Sequence, residues 1–360
     1  MLQAKPHIDK IAACEHGGIN YVELSGRRLD PRDMLDFSTC CNPYKPPKAI
    51  YSAIRNVPLE IYPDADAGEL IKALSTALEV NAENLIAGSG STELIRLAAL
   101  TYIGENDHVI IPSPTYGEYE LASRLVNARI IRFPLKEQKN FKLDTEEFIK
   151  FARQHEPAAI FLCNPNNPTG QYLDMQAVEK IASVFSSALI VLDEAYIAFT
   201  AGTWNSLNLI GAENLLIVRS MTKDFGLAGL RLGYGVASKS VIDVLRKVRP
   251  PWNVNSMAQK AGIAALRQRR FVENSAARLF KSRRYLEKEL EHFGFQIIPS
   301  QTNFFLVRVG KAREFRDRLL RKGFMVRDCS TFGLPEHIRI GPRSMEDCRR
   351  LVGAIREISG

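Results

Sequence analysis

Between residue 85 and about residue 240 the chain alternates short, uncharged runs of Val, Ile and Leu with longer amphipathic segments. That alternation limits the fold more than any other feature. LIAGSGS leads into ELIRLAALTYI, HVIIPSP into TYGEYELASRLV, and AAIFLCNPNNPTG into MQAVEKIASVFSSA; ARIIRFPL, ALIVLDEAY and NLLIVRSMTK are further apolar runs. Continuous apolar runs between helices predict strands buried on both faces of a mainly parallel sheet, the core of an α/β fold flanked by helices. In such sheets ligands bind outside the carboxyl ends of the strands, so the residues just after each run are the candidates for function.

The pattern changes on either side of this block. Residues 241–360 predict a smaller α+β C-terminal domain, its helices separated from a small antiparallel sheet. It comprises two helices, a strand pair around TNFFLVRV and MVRDC, a short strand at HIRIG and a final helix from Ser344. Residues 1–45 read as an irregular N-terminal arm and 46–240 as the large domain. A 360-residue chain that is 46% hydrophobic suits two such domains. No apolar run reaches the ~18 residues of a membrane span, and the N-terminus lacks the apolar core of a signal peptide. The expectation is a cytoplasmic protein without a membrane partner. Its six cysteines form no CxxC pair and no metal-ligand spacing with the six histidines, so neither metal nor disulfide is expected. Cys40 and Cys41 read as packing residues.

The net charge of +8 is uneven, because residues 241–360 hold 25 Lys/Arg against 12 Asp/Glu. Such a bias suits nucleic acid, a membrane surface or an anionic small molecule. In RQRRFVENSAARLFKSRRYLEKELEHF, however, basic residues alternate with Glu around an apolar stripe. That is a solvated helical face, and no nucleic-acid-binding motif accompanies it.

Five predicted strand ends carry polar groups. Gly88-Ser89-Gly90-Ser91-Thr92 opens a helix and could cradle an anion, although it could equally be a plain turn. It is no dinucleotide fingerprint, since Glu93 stands where the third glycine belongs, and no P-loop lysine follows. Tyr116, the Asn164–Gly170 segment and Tyr196 follow three further runs. Lys223 ends NLLIVRSMTK, where desolvation favours the neutral, nucleophilic amine; a lysine there could also snorkel to the rim. Asp193 ends ALIVLD, where a carboxylate needs a cation or donors, or else serves as a helix N-cap. Together the set suits pyridoxal 5'-phosphate, which needs a lysine, an acid for its ring nitrogen, an aromatic face and an anion cradle.

The order GSGSTE, PTYG, NPNNPTG, DEAYIAF, SMTK, GLRLGY resembles the aminotransferase class I/II superfamily, the fold-type I pyridoxal-phosphate enzymes. The resemblance spans residues 14–350. It implies that Lys223 is the catalytic lysine joined to the cofactor, that Asp193 pairs with the pyridine nitrogen, and that Asn167 and Tyr196 bond the phenolic oxygen. Tyr116 then stacks on the ring, while Ser91, Thr92, Ser220, Thr222 and Arg231 take the cofactor phosphate beside the Gly90 backbone. Tyr62, in IYPD, matches a tyrosine that reaches the cofactor phosphate of a neighbouring subunit, which implies a homodimer. Arg339 matches a substrate-carboxylate arginine and Arg327 a position facing a substrate phosphate, roles that could be exchanged.

Within the superfamily the chain resembles the branch that holds histidinol-phosphate aminotransferase and L-threonine O-3-phosphate decarboxylase. His16-Gly17-Gly18, DFSTCCNP and PPWNVNSMA resemble decarboxylase segments, with His16 bordering the substrate phosphate. Cys40 replaces an asparagine of that pattern, and Tyr196 suits the aminotransferase equally well. The resemblance implies decarboxylation of O-phospho-L-threonine to (R)-1-aminopropan-2-yl phosphate, a cobalamin-building lyase reaction, or the same reaction on O-phospho-L-serine. The alternative is a histidinol-phosphate-type aminotransferase. A basic nucleic-acid-binding regulator is the alternative of another class; it calls for an appended DNA-binding domain, for which 360 residues are expected to leave no space.

Overall fold

The computed structural model describes residues 2–359. Its strands, in chain order, are β1 (Leu35–Asp36), β2 (Leu85–Gly88), β3 (His108–Ser113), β4 (Arg129–Pro134), β5 (Ala159–Cys163), β6 (Leu189–Asp193) and β7 (Leu215–Ser220). They continue with β8 (Gly233–Ala237), β9 (Gln296–Ile298), β10 (Phe305–Arg308), β11 (Phe324–Met325), β12 (Arg327–Asp328) and β13 (His337–Ile340). Seven of them form the central sheet in the order β2-β8-β7-β6-β5-β3-β4. Neighbours from β7 to β4 pair in parallel, while β8 runs antiparallel to both β7 and β2. The sheet is thus mainly parallel and flanked by helices, as the alternation predicts.

The apolar runs are continuous because both faces of this sheet are covered. Leu85, Ile110, Ile160, Leu162, Ile190, Leu192 and Ile217 enter one core cluster. Their neighbours Ile86, Val109, Ile111, Phe161, Val191, Leu216 and Val218 enter the other. Successive residues of a strand point to opposite faces, so a strand buried on both sides has no polar positions to show. The helices Lys239–Val248 and Ser256–Leu266 also bury apolar residues, Ile242 and Leu245 in the second cluster and Ala258 and Ala261 in the first.

One element goes unread in the sequence, and two expectations are corrected. The Gly-rich stretch after Lys223 contains a strand, β8, wedged between β2 and β7. The C-terminal part holds more than two helices before its last one, while its small sheet is antiparallel as expected, in the order β12-β13-β10-β9. Its MVRDC strand pairs with β13, not with TNFFLVRV. The N-terminal arm is not irregular throughout. It carries a helix, Tyr21–Gly26, and β1 pairs in parallel with β11, which puts Phe37 into the core beneath the small sheet. Among the described residues no helix is long and apolar enough to cross a membrane.

Candidate active site

A cleft of about 1440 Å³ opens over the carboxyl edge of the parallel strands. Lined by Ser91, Thr92, Tyr116, Asn167, Asp193, Tyr196, Lys223, Arg231, His16, Arg327 and Arg339, it collects most of the residues expected from sequence. Gly90, Ser220 and Thr222 are buried and do not line it. Tyr62 lies away from it: the residue is 76% exposed and stacks on Trp252 at 4.6 Å between ring centroids.

At one end, the helix Ser91–Tyr102 begins after Gly90 with no side chain capping its first amides. Uncapped N–H groups and the helix dipole favour an anion. Gly90 adopts φ +81°, and a Cβ there would lie 2.7 Å from the Arg231 guanidinium. Only glycine therefore leaves the turn open beneath that cation. Gly233 is equally constrained, because its Cβ would meet the Ser91 nitrogen at 2.7 Å. The Ser220 and Thr222 hydroxyls are bonded to each other at 2.6 Å.

Asp193 sits mid-cleft and buried. Its carboxylate accepts hydrogen bonds from the Tyr119 hydroxyl at 2.8 Å and the Ala195 amide at 3.0 Å. Both donors are neutral, and burial pushes the Asp193 carboxyl up to about 6. The Lys223 ammonium makes no carboxylate contact; its nearest partners are the Cys41 sulfur at 3.6 Å and the Tyr196 ring centroid at 5.6 Å. Cys40 is buried, as a packing residue should be, whereas Cys41 approaches the lysine. Tyr116 reaches Thr92 at 3.4 Å, and burial raises its hydroxyl.

The small sheet supplies the far wall. Arg327 and Arg339 are directly opposite residues of β12 and β13, and both are buried. Like charges facing each other across strands are destabilising unless an anion lies between them. Arg339 donates to the Asn167 side chain and, at 2.6 Å, to the Ser38 carbonyl, while its Nε has no partner. Arg327 donates to the Glu15 carbonyl at 2.9 Å and the Thr331 hydroxyl at 2.7 Å. At the mouth, His16 bonds Glu118 at 3.0 Å, and Arg96 takes the other oxygen of that carboxylate at 3.1 Å. Cys14 and Glu118 together push the His16 imidazole up to about 9.

Several site residues escape sequence reasoning. Tyr119 follows Tyr116 by three positions and reads as a core aromatic, which it also is, stacked on Phe161 at 5.2 Å. Glu118 and Arg96 read as solvated helix charges. The facing of Arg327 and Arg339 depends on strand register, which no local pattern encodes.

The donor set fits the cofactor expected from the motifs. A phosphate group suits the uncapped helix start beside Arg231, a protonated ring nitrogen suits a buried carboxylate hydrogen-bonded only by neutral donors, and an aldehyde suits a lysine free of carboxylate partners.

Comparison with known proteins agrees on the class and corrects the reaction. The chain is 34% identical over 345 residues to the histidinol-phosphate aminotransferase of Moorella thermoacetica, covering 94% of this chain and 88% of that one. The histidinol-phosphate aminotransferase structure from Clostridium acetobutylicum superposes with a TM-score of 0.82 at 26% identity, over 91% of this chain and 99% of that one. The L-threonine-O-3-phosphate decarboxylase of Porphyromonas gingivalis gives 0.75 at 26%, over 89% and 98%. The full-length relatives thus overturn the decarboxylase expectation, and with it the lyase and cobalamin assignments. Three short decarboxylase-like segments weigh less than identity spread over the whole chain. The family model for aminotransferase class I and II matches residues 32–355. The chain belongs to the aminotransferase class I and II family, the pyridoxal 5'-phosphate enzymes its motifs resemble.

Proposed function

We propose that the protein is a histidinol-phosphate-type aminotransferase, moving an amino group between a phosphorylated amine and a 2-oxo acid such as 2-oxoglutarate. The observation that carries this reading is the 34% identity to histidinol-phosphate aminotransferases along almost the whole chain. The buried Arg327–Arg339 pair supports it, because both partner substrates of such a reaction are anionic and one site must take each in turn.

In this reading the Gly90–Thr92 turn, Ser220, Thr222 and Arg231 would hold the cofactor phosphate, and Asn167 and Tyr196 would take its phenolic oxygen. Asp193, oriented by Tyr119, would pair with the ring nitrogen, and Tyr116 would cover the ring. When bound, the cofactor supplies an electrophilic aldehyde and an electron-withdrawing ring that accepts the electron pair of the bond being broken. Lys223 carries the proton to and from the substrate carbon that bears the amino group. Arg339, with a free buried N–H, and Arg327 fix the anionic ends of the substrate, so that the C–H bond and not another faces the lysine. His16 borders the phosphate end. We read the enzyme as a cytoplasmic homodimer. The exposed apolar group of Leu59, Ile61, Tyr62 and Trp252 supports the dimer.

The test is an assay of purified, cofactor-loaded protein. Histidinol phosphate with 2-oxoglutarate should yield glutamate, and O-phospho-L-threonine alone should release no CO2. Absence of glutamate formation would end the aminotransferase reading. Lys223→Ala should lose both turnover and the absorbance band of lysine-bound cofactor.

A further inference from the structure

At the mouth of the cleft, three side chains with metal-ligating atoms converge from two distant parts of the chain. The Cys14 sulfur, a His16 ring nitrogen and a Glu118 carboxylate oxygen all lie within 4.8 Å of one another. We propose that Cys14, His16 and Glu118 bind a zinc-class divalent cation, with the remaining coordination position open to the cleft.

The chemistry of the set selects the cation. Sulfur, imidazole nitrogen and one carboxylate oxygen make a mixed donor set for zinc, whereas magnesium and calcium take oxygen ligands alone. Three protein ligands and one open position are the arrangement of a zinc ion that keeps a water. The surroundings are also built for it. Glu118 is buried, with 4% of its side chain exposed, and Arg96 holds its second oxygen, which orients the first toward His16 and Cys14 as an outer-shell partner does. Gly117 makes room for the thiol, since a Cβ at that position would lie 2.7 Å from the Cys14 sulfur. Cys14 and His16 are separated by one residue on a segment that is neither helix nor strand, so both can turn to Glu118 without breaking regular structure.

Sequence spacing excludes this site only because it counts neighbours. The third ligand is 102 residues from His16, and the fold alone brings it in. A bound cation would also fasten the N-terminal segment across the cleft, since the carbonyls of Glu15 and His16 already accept from Arg327.

The test uses the tag-free holoenzyme without substrate, so its outcome does not depend on the aminotransferase reading. Calorimetric titration with Zn2+ should give one ion per chain. Cd2+ should produce a thiolate-to-metal absorption band in the ultraviolet. Cys14→Ser should abolish that band and weaken Zn2+ binding by more than the roughly 10- to 100-fold that losing an outer-shell partner costs. Cys41→Ser, which alters the thiol beside Lys223, should leave both unchanged. No stoichiometric binding to the wild type, or binding that survives Cys14→Ser or disappears in Cys41→Ser, overturns the proposal.

Discussion

Asp193 is buried and hydrogen-bonded by two neutral donors, and the only cation the chain sets against it, Lys223, acts without a hydrogen bond and leaves the carboxylate under-compensated. Its carboxyl is raised to about 6 in the folded protein. A group raised in this way stabilises the cofactor-free fold fully below the ordinary carboxylate range, and that contribution is lost as pH rises through about 6. A cation opposite Asp193 offsets the loss. The gap in melting temperature between cofactor-loaded and cofactor-free protein should therefore widen as pH rises from about 5 to about 7, and Asp193→Asn should flatten it. Thermal unfolding of both forms across pH checks this, and Asp224, also raised by burial, is present in both. Tyr119→Phe keeps the stack on Phe161 but leaves one Asp193 oxygen unpaired, which should cost about 1–3 kcal/mol of stability and lower turnover. An unchanged melting temperature in that variant would contradict the role. The position of Asp193 is legible in sequence, because a charge directly after four buried apolar strand residues, Leu189–Leu192, has to be explained. Tyr119 is not, since its hydroxyl role hides behind ordinary core packing.

At the scale of elements, the parallel strands are legible because burial on both faces leaves an unbroken apolar signature. Strand β8 is not, because GYGVA reads as a turn-rich stretch. Its glycines answer to the neighbouring strand and turn: Gly233 presses on Gly90 and Ser91, and a Gly235 Cβ would meet Ile86 at 3.0 Å. Gly233→Ala should force the anion-binding turn outward, at about 1–3 kcal/mol, and weaken cofactor retention. Gly229→Ala, where a Cβ meets nothing within 4 Å, should retain cofactor like the wild type. Equilibrium dialysis of the cofactor separates the two. Strand β1 escapes a sequence reading for a different reason: two residues carry no periodicity, and their partner lies nearly three hundred positions away.

For the whole molecule, the surface beside Tyr62 and Trp252 matters most. Leu59, Ile61 and Tyr62 are all more than 60% exposed, and Trp252 is 47% exposed. Such a patch is expected to be covered by a second copy. Ile61→Asp should shift the protein toward monomer in sedimentation and, if Tyr62 serves a neighbouring site, loosen its cofactor as well. A variant that remains dimeric would remove this face as the interface. Sequence by itself determined the α/β class, the family and the identity of the residues at the strand ends, because burial and strand termini leave local marks in residue type. Tertiary structure alone decided which of those residues share a cleft, that Arg327 faces Arg339, that Tyr119 holds Asp193, and that Cys14 and His16 meet Glu118. Those pairings depend on sheet register and on the approach of segments far apart in the chain, and neither is encoded in any local stretch.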